Sequence, residues 1–167
     1  MKQWRLGGFM KSWAIYIAAA LGFVVYGAVT DADRDGSGAI VDGGTVGAFQ
    51  VRVGDCFDDA VVGEGEYEIS DVPGVPCSEP HDNETYAVFD LAVDSFPEGD
   101  AMGELAYESC YDRFQSFVGR DYETSTLDIN MMYPSRESWQ QNDREVICAV
   151  YDVEANKLIG SAKERGL

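Results

Sequence analysis

Between Lys11 and Asp31 the chain carries no charged residue. The run 12–30 opens Ser12-Trp13-Ala14-Ile15-Tyr16-Ile17, continues through three alanines and ends with Leu21 to Thr30. As a helix rising ~1.5 Å per residue it would span about 28 Å, close to the ~30 Å hydrocarbon core of a bilayer. Trp13 and Tyr26 stand near its two ends, where amphipathic rings prefer the headgroup region. Lys2, Arg5 and Lys11 precede every acidic residue, while the part from Asp31 onward holds nine Lys/Arg against thirty Asp/Glu, a charge of −21. The positive-inside rule therefore keeps residues 1–11 in the cytoplasm as a short stub and exports the remainder. The expectation is a single-pass protein of the cell membrane, anchored in the lipid bilayer by residues 12–30.

Two rival readings of this run are weaker. A buried core helix does not account for the charge asymmetry. A cleavable signal peptide needs small residues before the cut. Ala28 and Thr30 fit loosely, and a cut after Ala28 would place Tyr26 at −3. The first cysteine is Cys56, too far along to carry a lipid at a new N-terminus. Within the anchor, Ala14, Ala18 and Gly22 recur every four residues, a small-residue stripe that lets another membrane helix approach closely.

Residues 31–48 are rich in Gly and Asp and are expected to form an acidic, flexible linker. Calcium is the alternative use for them. Asp31, Asp33, Asp35, Gly36 and Asp42 fall at the first, third, fifth, sixth and twelfth positions of a calcium loop, where oxygen ligands converge around a glycine turn. Against it, Gly38 stands where an apolar residue is usual, Asp42 replaces the bidentate glutamate, and no second helix follows. No other cofactor is implied.

The folded part is expected over 49–167. Phe49, Val51 and Val53 alternate with Gln50 and Arg52 as a half-buried strand, ended by Gly54-Asp55. Tyr67 to Ile69 and Val75 to Cys77 flank a turn at Pro73-Gly74. Thr85 to Val93 is the longest strand candidate, with Tyr86 and Val88 facing away from Ala87, Phe89 and Leu91. Leu127, Ile129 and Met131 mark another strand, and Val146 to Tyr151 a further one. Met102, Leu105, Ala106, Cys110, Phe114 and Phe117 repeat at helical spacing, with Asp100 able to cap the start and Gly119 the end. The fold class is α+β: an N-terminal transmembrane helix, then a small disulfide-bonded domain of mostly antiparallel strands with one packed helix.

Four cysteines in an exported domain suggest two disulfides, with three pairings open on paper. Cys110 shares the apolar helical face, and Cys148 shares a strand face with Val146 and Val150. A helix-to-sheet bridge Cys110–Cys148 is therefore the expected pair, leaving Cys56 with Cys77. Zinc spacing is missing, as is the G-x-S-x-G elbow of a serine hydrolase. His81, the one histidine, lies four residues after Cys77 and is better suited to ordering that loop than to catalysis. The chain is expected not to be an enzyme.

Three stretches carry a resemblance: Val53-Gly54-Asp55-Cys56-Phe57-Asp58-Asp59; Val75-Pro76-Cys77-Ser78-Glu79-Pro80-His81-Asp82-Asn83-Glu84; and Tyr133-Pro134-Ser135 with Ser138-Trp139 and Asp143-Arg144 before Cys148. Together they resemble the septum formation family of actinobacterial envelope proteins, over about Phe49 to Asp152. Gln141-Asn142 stands where that family commonly has a glycine. The resemblance implies a membrane-tethered or lipid-anchored extracytoplasmic domain with no established catalytic residues, and its name points to cell division.

A net charge of −18 argues against nucleic acid as a partner, because phosphates would repel it. The expected role is an interaction module, an accessory subunit of a membrane-embedded protein or larger envelope complex, with a homo-oligomer also compatible. Arg120, Arg136 and Arg144 with Tyr107, Tyr111 and Trp139 are residue types that anchor interfaces. The alternative is a cell-wall-binding or sensing protein associated with division. In that reading His81, Asp82 and Trp139, near Arg144, line a groove and Trp139 stacks on a sugar. The acidic charge asks for a partner surface that is basic, calcium-bridged or met through less charged patches.

Overall fold

The computed structural model describes residues 30–60 and 69–167. Apart from Thr30, the expected anchor, with Ala14, Ala18 and Gly22, lies outside the described residues. Among those described, no helix is long and apolar enough to cross a membrane.

The elements, in chain order, are β1 Asp33–Arg34, β2 Ile40–Asp42, β3 Gly44–Gly47, β4 Cys56–Phe57, β5 Asp71–Val75, β6 Asn83–Asp90, α1 Ala101–Val118, β7 Leu127–Met132, α2 Arg136–Gln140 and β8 Glu145–Asp152. β1 and β2 form a two-stranded ribbon, and the other six strands make one sheet in the order β3-β5-β4-β6-β8-β7. Every strand pair in it is antiparallel. The α+β class with one long packed helix therefore holds for the described domain.

β8 shows why the core has two halves. Successive side chains of a strand point to opposite faces. Val146, Cys148 and Val150 face α1, whereas Ile147 and Ala149 join Phe57, Val72, Ile40 and Val46 on the other face. Both faces are apolar, so the strand reads as a nearly continuous hydrophobic run. α1 covers the first face with Met102, Ala106, Cys110, Phe114 and Phe117, at the expected spacing. Gly119 ends it in the left-handed region at φ 80°, donating its N–H to Gln115 O at 2.9 Å. Asp100 occupies the position before the helix but its side chain makes no capping hydrogen bond.

The disulfides pair as expected, Cys56 with Cys77 and Cys110 with Cys148, at Cα separations of 5.2 and 5.6 Å. The second joins the centre of α1 to the centre of β8.

Four local expectations fail, each for a packing reason. The linker is folded: β1, β2 and β3 all lie within 31–48, and β3 pairs with β5 at the sheet edge. Only a few of its residues bury, but Ile40 and Val46 do so almost fully, and Arg34 reaches a buried carboxylate. The strand expected at Phe49 to Val53 is instead a single 3-10 turn at Ala48–Gln50, and Phe49 is 72% exposed. Val51 alone of the three alternating residues is buried, while Val53 faces out. Tyr86 lies on the same side as Ala87 and Leu91, because an irregularity between Thr85 and Ala87 shifts the β6 register. Its hydroxyl donates to Cys110 O at 2.9 Å, and burial holds that hydroxyl well above its ordinary pKa.

Finally, Pro73-Gly74 is not a turn but the middle of β5, with Thr45 opposite Pro73 and Gly44 opposite Gly74. The Pro73 carbonyl accepts from Asp58 N at 2.9 Å, so its backbone faces the end of β4 and the ladder with β3 needs no donor from it. Gly74 is needed for close packing. A Cβ there would lie 2.6 Å from Val46 Cγ2 and 2.9 Å from Ile40 Cδ1. Gly74→Ala should therefore destabilise the domain by about 1–3 kcal/mol, the scale of overpacking. Urea unfolding of the variant checks this, and an unchanged midpoint would show that the β1–β2 ribbon yields freely.

Candidate functional site

The sequence-nominated groups fall at opposite ends of β6. At one end, His81 is fully buried. Its backbone exchanges hydrogen bonds with Leu158 in both directions, at 3.0 and 2.8 Å, and its Nδ1 lies 2.8 Å from Glu79 O. Asp82 accepts from Lys157 Nζ and Asp59 N at 2.8 and 3.0 Å. Burial opposes ionisation of Asp82, yet the lysine and the Asp59 N–H outweigh it and hold its carboxyl below the usual range. Glu84, also buried, accepts from Ser161 Oγ at 2.6 Å and Ala162 N at 2.5 Å. These contacts bind the C-terminal segment to the Cys77–Glu84 turn. They form a structural latch, within which His81 Nε2 is buried without a hydrogen-bond partner.

At the other end, Trp139 is buried, not exposed, with the Arg144 guanidinium 3.5 Å above its ring and Phe96 against its edge. Ser135 Oγ accepts from Ser138 N at 3.1 Å to start α2, the short helix that holds Trp139. Leu91, just past β6, donates to Arg144 O at 2.8 Å, whereas Asp82 just precedes β6. The eight residues of β6 separate the two groups, and nine steps of about 3.3 Å make roughly 30 Å. The expected groove of His81, Asp82 and Trp139 therefore does not form.

The other candidates are likewise placed. Asp33 and Asp42 are register partners across the β1–β2 ribbon, and Asp35 Oδ1 accepts from Ser37 N at 2.8 Å and Ala39 N at 3.2 Å. The segment turns as a hairpin, so Asp31, Asp33, Asp35 and Asp42 do not gather as a calcium loop requires. Among the described residues, one group of potential metal ligands is close enough, Cys56, Cys77 and Glu84, and its two sulfurs are joined in a disulfide. Tyr107 and Tyr111, partly exposed, pack on Tyr122. Arg136 pairs with Glu98 over the Phe96 ring, and Arg120 donates to Thr124 O.

An open groove, to which Arg144 alone of the nominated binding residues contributes, lies on the face of the sheet away from α1. Its volume is about 910 Å³, within the ordinary size of binding clefts. Phe49, Ile69, Met132 and Ile147 supply its apolar wall, while Met131 and Tyr133, at its rim, turn their side chains toward α1, Met131 against the helix-side core and Tyr133 toward Gly103. Asp90, Asp143 and Glu145 supply its acidic end. Asp90 is opposite Glu145 in the β6–β8 register, and Glu145 N donates to Asp143 Oδ1 at 2.9 Å. Burial first, then the charges of Asp143 and Asp90, raise the Glu145 carboxyl above its usual pKa. Its Oε1 is buried with no hydrogen-bond partner. A smaller pocket of about 260 Å³ adjoins, lined by Phe57, Val72, Met132, Ile147 and Ala149 among others.

A family model, septum formation, matches residues 53–165. The chain belongs to the septum formation family. A search of curated proteins and a search of solved structures find no match. The family's stretch includes both disulfides, β4 to β8 and α1, and it includes the acidic end of the groove. The ribbon, β3 and Phe49 of the groove's apolar wall precede the matched residues.

Proposed function

We propose that this septum formation protein is a non-enzymatic interaction module, anchored in the membrane by residues 12–30 and exposed outside the cytoplasm, serving as an accessory subunit of a larger envelope complex. The family assigns the domain to a cell-division or envelope role. The observation that carries the interaction reading is the groove, where Phe49 is 72% exposed beside the apolar floor of Ile69, Met132 and Ile147. Apolar aromatic side chains held open at a cleft mark docking surfaces. The wall-binding alternative loses its platform, because Trp139 lies under Arg144 and offers no face to a sugar.

The test uses the full chain in its own membrane, with a photo-crosslinking phenylalanine at Phe49. Irradiation is expected to join it to one protein partner, and mild-detergent purification to recover the same protein in a larger assembly. Phe49→Ser should lower that recovery severalfold with unfolding unchanged. A lone monomer in several detergents, with no crosslink, would overturn the reading.

A further inference from the structure

We infer that the groove receives an extended segment of a partner protein in which a lysine or arginine stands between apolar residues, the cation meeting Asp90, Asp143 and Glu145. This inference rests on the interaction reading above and names the chemistry of the partner.

The charge of the groove argues for it. Four charged side chains line it, and three are carboxylates. The fourth, Arg144, is already engaged, stacked on Trp139 and donating to Trp139 O at 2.9 Å and Asp143 O at 2.6 Å. None of the three carboxylates has an ion-pair partner among the described residues. Glu145 Oε1 is withdrawn from water with nothing donating to it. Carboxylates crowded together without a cation repel one another, and an ammonium or guanidinium relieves both that repulsion and the orphaned acceptor.

The shape argues for a peptide over a free amine. Beside the acidic residues lie Ile147, Met132 and Phe49, which would cover apolar side chains next to the basic residue. Methionine and aromatic surfaces adapt to such side chains at little cost. The chain's net charge of −18 would also steer a basic segment toward this surface.

Methionine methyl NMR on the full chain in an uncharged detergent provides the test. Met132 reports on the groove, and Met102, buried under α1, is an internal control. The probes are three blocked tripeptides, with lysine, glutamine or glutamate between two leucines. The lysine peptide is expected to shift Met132 and leave Met102 in place. Added salt should weaken its binding, and Asp90→Asn with Glu145→Gln should weaken it about tenfold, the scale of losing charge-assisted hydrogen bonds. Equal shifts from the lysine and glutamine peptides, or none from either, would overturn the inference. The salt series on the unaltered chain decides the matter even if the double variant is poorly folded. Should the peptides fail while Phe49 still crosslinks to a partner, the interaction reading stands and only its basic chemistry falls.

Discussion

Arg34→Ala is expected to lower the stability of the domain by about 2–4 kcal/mol. Arg34 lies in β1, and its guanidinium makes a two-pronged contact with Asp55, at 2.5 and 2.7 Å. The same side chain donates to Gly38 O at 2.8 Å, tying the ribbon's own turn into the pair. Asp55 is 4% exposed, and its remaining hydrogen bond comes from Arg52 N at 2.8 Å. Removing the arginine leaves a buried carboxylate with one donor, and such uncompensated charges are costly. The estimate sits below the largest values for buried pairs because the Arg34 side chain is 17% exposed and water can partly replace it. Asp55→Asn should cost less, since a neutral amide tolerates burial better. Urea unfolding with tryptophan fluorescence measures both. If Arg34→Ala unfolds at the wild-type midpoint, residues 31–48 are dispensable to the fold and behave as the linker their composition suggests.

That last contrast shows where composition misleads. Residues 31–48 contain few apolar side chains, so a window of Gly and Asp reads as a tether. Folding there depends on two apolar residues, Ile40 and Val46, and on one arginine reaching twenty-one positions along the chain to Asp55. No local pattern reports such a contact. The same holds for Pro73-Gly74, a turn dipeptide by habit. Its place inside β5 follows from a two-residue neighbour, β4, and from side chains of β2 and β3 that need the glycine's empty space. By contrast, α1, β7 and β8 were legible because their periodicity is set by their own burial. The cysteine pairing was legible for the same reason, since Cys110 and Cys148 each fall on the apolar side of a periodic element.

The candidate site was less legible. His81, Asp82, Trp139 and Arg144 stand out in the sequence as chemically versatile residues, yet each is consumed by structure at one end or the other of β6. The groove is built from ordinary residues of separate segments: Phe49 before β4, Ile69 before β5, Met131 to Tyr133 at the end of β7, and Asp90 opposite Glu145. One signal was available. Met131-Met132-Tyr133-Pro134 runs apolar past the point where β7 should alternate, which means that both faces of its end meet apolar surroundings. The acidic partner residues have no such signature among thirty carboxylates.

Removing the Cys110–Cys148 bridge, as Cys110→Ala with Cys148→Ala, should be the most damaging change of all, costing about 4 kcal/mol. The bridge closes a stretch of 38 residues that contains the second half of α1 and all of β7 and α2. In the unfolded chain it removes the entropy of that loop, and the cost of losing it grows with loop length. Both cysteines are fully buried, so the alanines also leave unfilled volume between Phe114, Tyr86 and Val146. The Cys56–Cys77 bridge closes 21 residues and should contribute less, about 3 kcal/mol. Against an ordinary domain stability of roughly 5–15 kcal/mol, loss of the first bridge leaves a marginal fold. Chemical denaturation of each double variant should rank them in this order. Reductant should discriminate in the opposite sense, opening Cys56–Cys77 first in the folded protein, because Cys77 is partly exposed and the other three cysteines are not. If both double variants unfold together with the native chain, α1 is held to β8 by apolar packing alone, and the bridges guard the protein against slow unfolding without adding to its equilibrium stability.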